Sequence, residues 1–161
     1  MPRRGVARSR ARGFGYLGLL FFIALTAASL AALGQRWSAA AQRERERELV
    51  FRGQAIARAI ERYAAATPER PAYPQRLEDL VEDRRSLRPR HHLRQRYADP
   101  FSGEPDWELI AAPPPATGFI GVRSRSDRPL LMSQGPDGQA VERANGLQFM
   151  AQALPARAAT P

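Results

Sequence analysis

Two residue types are missing from this 161-residue chain, which contains neither cysteine nor lysine. Without cysteine the protein has no disulfide, no thiolate metal site and no thiol nucleophile. Without lysine it has no side-chain amine for a Schiff base or for a phosphate-binding loop. All 25 basic residues are therefore arginine, against 16 acidic residues, and the formal net charge is +9.

The positive charge is concentrated before the first apolar run. Five arginines and no acidic residue precede residue 14, namely Arg3, Arg4, Arg8, Arg10 and Arg12. After residue 35, 20 arginines face 16 acidic residues, and the two signs are interleaved. This pattern is more typical of a solvated surface than of a phosphate-binding stripe. We therefore do not expect the protein to bind nucleic acid.

Residues 14–35 are predicted to form a transmembrane helix. From Phe14 to Gly34 there are 21 residues without a charge, or about 31 Å of helix against a hydrocarbon core of about 30 Å. The apolar part of a secretory signal peptide is shorter, about 7–15 residues. The preceding arginines favour a cytoplasmic N-terminus. We therefore expect a single-pass protein of the bacterial inner membrane with its C-terminal domain in the periplasm.

The helix is predicted to continue through residues 36–66 as an amphipathic segment outside the membrane. No proline interrupts it, and alanine, glutamate, arginine and leucine all favour helix. Four apolar residues recur at spacings of seven, four and three and form one stripe: Leu49, Ile56, Ile60 and Tyr63. Three prolines within residues 67–74 should end the helix. The stripe must then be covered by the rest of the chain.

Residues 67–154 are predicted to form a small α+β domain, followed by a disordered tail at residues 155–161. A short helix is expected within QRLEDLVEDRR, with its four acidic residues, Glu78, Asp79, Glu82 and Asp83, on an exposed face. The predicted strands are WELIA, FIGVRSRS and RPLLM, and LQFMAQAL is predicted to form a last helical turn. The predicted fold class is therefore α+β, a long N-terminal helix packed on a small antiparallel sheet of two to four strands.

Together these segments resemble the pseudopilins of type II secretion, which are relatives of the type IV pilins. A basic leader, residues 1–13, ends in Gly13 and is followed by Phe14, as at the site cut by prepilin peptidase. The uninterrupted apolar helix and the proline-containing turn follow the same pattern. YADPFSGEPDWELI is similar to the passage with which the major-pseudopilin-like members enter their sheet. The resemblance covers about residues 8–126 and implies a pilin-like fold.

The resemblance also implies a function. The chain would be a non-catalytic subunit of a type II secretion apparatus, and its helix would pack into a short periplasmic pseudopilus that promotes protein export. The implied partners are other pseudopilin subunits, the inner-membrane secretion platform, the prepilin peptidase and membrane lipid. The peptidase would cut between Gly13 and Phe14, and methylation would follow at the new N-terminus.

One position departs from the family pattern. The fifth residue after the expected cut is usually glutamate, whose carboxylate would face the N-terminal amine of a neighbouring subunit, whereas this chain has Gly18. A buried ammonium without a partner in lipid is costly. Gly18 therefore leaves two interpretations open: a tip-type minor subunit, or an uncleaved single-pass protein with a periplasmic binding or scaffolding domain. A minor type IV pilin is a further alternative.

The remaining motifs give little evidence of chemistry. SQGPDG, residues 133–138, is similar to the calcium loop of the major pseudopilins, which would make Ser133 and Asp137 candidate ligands; a plain turn is the alternative. His91 and His92 are expected to be solvated loop residues rather than zinc ligands. No nucleophile, phosphate-loop or zinc-protease motif occurs. We therefore predict no catalytic residue and no cofactor other than calcium, and a periplasmic enzyme is the third alternative.

Overall fold

The computed structural model describes residues 12–66 and 72–152, with side chains described from residue 15 onward. The chain divides into two units, Met1–Ala41 and Gln42–Pro161. Helix α1, Arg12–Ala65, belongs to both units. Most of the predicted leader and the whole of the predicted tail lie outside the described residues.

Helix α1 has the length predicted for it. Its 54 residues end one residue before Ala66, ahead of the proline-rich segment that cannot continue a helix. In the second unit, the predicted apolar stripe is buried, since Leu49, Ile56, Ile60 and Tyr63 are at most 6% exposed. Two ion pairs occur at helical spacing: Glu44–Arg47 is exposed, whereas Glu48–Arg52 is half-buried and Arg52 also donates to the carbonyl oxygen of Ala98.

A three-stranded antiparallel sheet covers the buried stripe. The strands are β1, Glu108–Ala111; β2, Phe119–Arg123; and β3, Gln148–Met150, in the order β1-β2-β3. Val122 in the central strand pairs with Leu109 on one side and Phe149 on the other, and Val122 and Phe149 are buried. The expectation of an α+β layout, a long N-terminal helix with a small antiparallel sheet, is therefore confirmed.

Helix α1 and strand β3 are in close contact at Gly53. A Cβ atom added there would overlap the ring of Phe149, so the side chain of β3 occupies the space that any larger residue would need. Trp107 packs edge-on against the same ring and donates from its indole nitrogen to the carbonyl oxygen of Tyr97 at 2.8 Å. The tight packing of Gly53, Trp107 and Phe149 places the Phe149 side chain of the edge strand β3 in the core.

The third strand lies elsewhere than predicted. RPLLM forms only one isolated bridge, between Pro129 and Arg143, and Pro129 has no amide hydrogen to donate to a ladder. LQFMAQAL, predicted as a helical turn, supplies β3 instead, because Phe149 alternates with exposed neighbours and pairs with Val122. A 3₁₀ turn at Ala144–Gly146 precedes the strand. Both predictions, the strand in RPLLM and the helical turn, were wrong.

The short helix after the proline-rich segment is also smaller than predicted. Helix α2 covers only Glu78–Val81 and buries Leu80 against the core. The chain then reverses, since the amides of His92 and Leu93 both donate to the carbonyl oxygen of Leu80. Asp83 therefore lies outside the helix and is 2% exposed, so its predicted place on an exposed helical face was wrong.

Candidate functional site

The first half of α1 is the most conspicuous surface of the protein. Its large apolar side chains are 44% to 71% exposed: Tyr16, Leu17, Leu19, Leu20, Phe21, Phe22, Ile23, Leu25, Leu30 and Leu33. They include consecutive positions and therefore lie all round the helix, which is typical of a membrane span rather than of an amphipathic surface helix. Among the described residues, α1 is the one helix long and apolar enough to cross a membrane.

The hydroxyl groups of Thr26 and Ser29 in this segment form hydrogen bonds within the helix, as a lipid environment requires. The hydroxyl of Thr26 donates to the carbonyl oxygens of Phe22 and Ile23, and that of Ser29 donates to Leu25. A hydroxyl bonded within its own helix adds no unsatisfied donor in a medium without water. At the far end, Trp37 is 72% exposed, and tryptophan is enriched at the membrane–water boundary.

The predicted processing residues lie in the first turn of α1. The helix begins at Arg12, so Gly13 and Phe14 are helical, while the surroundings of the Phe14 side chain lie outside the described residues. Gly18 lies one turn further on, and no heavy atom comes within 4 Å of the position that its Cβ atom would take. No described side chain of this chain therefore fills the place of the family glutamate.

The candidate calcium loop forms a closed turn. The Gly138 amide donates to the carbonyl oxygen of Gly135, and the Asp137 carboxylate accepts from the Gln139 amide at 3.2 Å. The Ser133 carbonyl oxygen accepts from Val141. Within the described part of the chain, no three His, Cys, Asp or Glu residues group together to hold a metal ion. Calcium needs six to eight oxygens, so the loop does not fit calcium well, and the hydrogen bonds favour the plain turn.

A buried polar cluster lies at the C-terminal end of α1. The carboxylate of Asp83 accepts from the amide and the guanidinium of Arg85 and lies 3.2 Å from Nε2 of His92. Arg85 also donates to the carbonyl oxygen of Tyr63 at 2.7 Å, and its guanidinium carbon is 3.5 Å from the centroid of that ring. The last carbonyls of a helix lack internal partners, and Arg85 satisfies one of them.

The electrostatics of this cluster follow from the contacts. The hydrogen bond from Arg85 holds the pKa of Asp83 well below its ordinary value, against the opposing effect of burial. Burial raises the pKa of Tyr63, and the positive charge of Arg85 partly offsets that rise. The side chain of His92 is only 8% exposed, so the expectation that His92 is solvated was wrong. The cluster is a structural ion pair that fastens a hairpin to α1.

Glu46 is a second buried carboxylate that the sequence analysis did not identify. It is 2% exposed and accepts from the backbone amides of Leu131 at 2.6 Å and Met132 at 3.1 Å. The sequence does indicate that Glu46 faces the core. Glu46, Leu49 and Gly53 are spaced three and four residues apart, and the same alternation continues through the predicted stripe, so these residues lie on one face of the helix. Glu46 holds the loop before the turn at residues 133–138 against the helix.

Comparisons with other proteins add no family assignment. No protein-family model, curated protein or solved structure matches the chain. The functional interpretation therefore depends on the exposed apolar half of α1, on the small domain that packs on its second half, and on the residues around Gly13.

Proposed function

We propose that this chain is a pseudopilin-like subunit of a type II secretion apparatus, anchored in the bacterial inner membrane and not catalytic. The observation that supports the proposal most is the division of helix α1. Its first half exposes apolar side chains all round, whereas its second half buries a stripe against a small antiparallel sheet. A subunit that is held in lipid and packs with other helices needs both properties in one chain.

The proposed working parts follow the resemblance. Prepilin peptidase cuts between Gly13 and Phe14, the apolar helix stays in the membrane, and the outer domain lies in the periplasm. The helix packs against the helices of neighbouring pseudopilin subunits. No step of this function requires calcium.

A second candidate function is supported by Gly18. With no side chain at this position and no neighbouring atom within 4 Å of its Cβ position, the chain lacks the carboxylate that would pair with an incoming subunit's amine. The second candidate is therefore an uncleaved single-pass protein whose periplasmic domain binds or scaffolds a partner. A pseudopilin at the tip of a pseudopilus also requires no such carboxylate. The pseudopilin and the single-pass protein therefore differ chiefly in whether the chain is cut after Gly13.

A complementation experiment tests the proposal. The gene is deleted in its host and restored as the wild type, as Gly13→Leu, or as Gly15→Leu. Gly15→Leu is the matched control, because it makes the same substitution at the second residue after the expected cut. Protein exported to the medium is measured by activity and by immunoblot. We expect Gly13→Leu to leave export at the level of the deletion strain and Gly15→Leu to restore most of it.

Two outcomes contradict the proposal. Normal export from the Gly13→Leu strain shows that cleavage is not needed and favours the uncleaved protein. Unchanged export in the deletion strain itself removes the chain from the secretion pathway. Membrane fractionation of each strain verifies that the variants accumulate to equal amounts.

A further inference from the structure

The net positive charge of the outer part of the chain lies in one short segment. Residues 82–96 contain six arginines and two acidic residues, whereas the rest of residues 36–161 contains fourteen of each. The segment therefore carries the whole charge excess beyond the membrane helix. The two signs nearly balance in the rest of the second unit, Gln42–Pro161, which we call the outer unit. A negatively charged partner would therefore be attracted to residues 82–96 before any other part of the outer unit.

This segment forms a hairpin with a fixed base. Asp83 and Arg90 exchange two backbone hydrogen bonds of 2.8 and 3.0 Å, and the six residues between them form the tip. The cluster of Asp83, Arg85 and Tyr63 ties the base to α1, and Arg62 of the same helix donates to the carbonyl oxygen of His92 at 2.6 Å. The tip is thus presented from an ordered base and loses little conformational entropy on binding.

An apolar side chain stands at the tip of this hairpin. Leu87 has a relative exposure of 105%, whereas Phe51, the next most exposed large apolar side chain described in the outer unit, has 56%. Arg88 follows it directly, Arg84 precedes it by three residues, and both are exposed. Leu87 has no packing role within the described fold, so its leucine side chain is available to a partner.

We propose that the hairpin of residues 83–90 is a docking site for a protein surface that presents carboxylates around an apolar pocket. Leu87 enters the pocket, and the arginines pair with the carboxylates at its rim. Arginine suits this role because its planar guanidinium can bind a carboxylate through two parallel hydrogen bonds. Of the arginines at the tip, Arg84 and Arg85 already pair with acidic residues of this chain, so Arg88 is the contact to test.

Two other anionic partners fit the segment less well. Residues 82–96 contain no phenylalanine, tyrosine or tryptophan on which nucleic-acid bases could stack. A membrane surface would attract the arginines, but a single exposed leucine gives little insertion into lipid. Both partners nevertheless attract arginine through phosphate groups, so they are included as outcomes of the test.

The test uses the full chain in nanodiscs of zwitterionic lipid. Short random peptides displayed on phage are selected on the wild type, and the enriched peptides are synthesised and titrated. The variants are Arg88→Glu, Leu87→Ser, and Arg58→Glu, a matched control that also reverses one exposed charge, on α1. Thermal unfolding verifies that each variant keeps its fold, since the altered side chains are exposed.

We expect the enriched peptides to combine aspartate or glutamate with an apolar residue. Their affinity should fall about tenfold or more for Arg88→Glu, less for Leu87→Ser, and not at all for Arg58→Glu. Three results overturn the proposal: enrichment without acidic residues, equal losses in the Arg58→Glu control, or tighter hairpin-dependent binding to phosphatidylglycerol vesicles or to an oligonucleotide. The proposal does not depend on cleavage at Gly13, so it can fail while the proposed function stands.

Discussion

At the scale of single residues, buried carboxylates hold the loops of the outer unit in place. Glu46 accepts from two backbone amides of one loop, and Asp99, which is fully buried, accepts from the Phe101 amide and the Ser124 hydroxyl. A buried carboxylate is tolerated only when donors surround it. These acidic residues are therefore part of the fold, although in the sequence they look like ordinary surface charges.

Replacing Glu46 by glutamine should destabilise the protein by about 1–3 kcal/mol, because hydrogen bonds to a charged acceptor are stronger than those to an amide oxygen. One amide oxygen would also have to serve both the Leu131 and Met132 amides. Urea unfolding of the full chain in detergent, followed by circular dichroism, measures the change. Glu44→Gln, on the exposed side of the same helix, is the control, and an equal loss in both variants would contradict the role of Glu46.

Asp83 should give the protein an acid-sensitive stability. Its pKa is lower in the folded chain than in the unfolded one, so the folded state releases the proton more readily. The resulting stabilisation is fully present above the unfolded pKa of about 3.9 and is lost as the pH falls below that value. Thermal unfolding between pH 7 and pH 3 should show a smaller acid-induced loss in Asp83→Asn than in the wild type. Identical slopes would contradict this prediction.

The sequence allowed part of this residue-level picture to be predicted. The apolar stripe from Leu49 to Tyr63 and the turn at residues 133–138 follow directly from spacing and from turn-forming residues. The burial of Asp83 and His92 does not, because it depends on where α2 ends. That helix stops at Val81, since the chain folds back to donate to Leu80, and nothing in QRLEDLVEDRR marks this end.

At the scale of elements, long segments were predictable and short ones were not. Helix α1 is specified by composition over more than fifty residues, and β2 by alternating side chains. Strand β3 has three residues, and its pairing with β2 depends on the fit of Phe149 against Gly53. Such a contact between positions far apart in sequence outweighs local propensity. The same contact gives the sharpest test of how helix and sheet pack.

Gly53→Ala should destabilise the outer unit by about 1–3 kcal/mol, because the new methyl group would overlap the Phe149 ring. The change would normally favour a helix by about 1 kcal/mol, so a loss of stability identifies the clash. Gly34→Ala, where no atom lies within 4 Å, is the control. Combining Gly53→Ala with Phe149→Leu should recover part of the loss, and no destabilisation by Gly53→Ala would contradict the close contact.

At the scale of the whole molecule, the two units have different surfaces. The first unit exposes apolar side chains all round its helix, whereas the second has its own buried core and a surface of balanced charge outside residues 82–96. A core of this kind needs no contribution from residues 12–41. The division into an apolar helical unit and a unit with its own core was predictable from composition, because apolar and charged residues are separated along the chain.

The segment 42–152 should therefore fold by itself in water. We expect one cooperative unfolding transition by circular dichroism, with a midpoint within a few degrees of that of the full chain in detergent. Size-exclusion chromatography verifies that the fragment does not aggregate. A broad transition without a folded baseline would show that the first unit is needed for the second unit to fold.

The central claim is that residues 1–13 are removed while the apolar helix remains in the protein. Intact-mass measurement of the full chain, expressed with and without a prepilin peptidase and extracted from membranes, tests it most directly. With the peptidase, the mass should correspond to a chain that begins at Phe14, with or without one added methyl group, and without it the leader should remain. The same intact leader in both preparations, or a cut beyond residue 34 that removes the apolar helix, would contradict the claim.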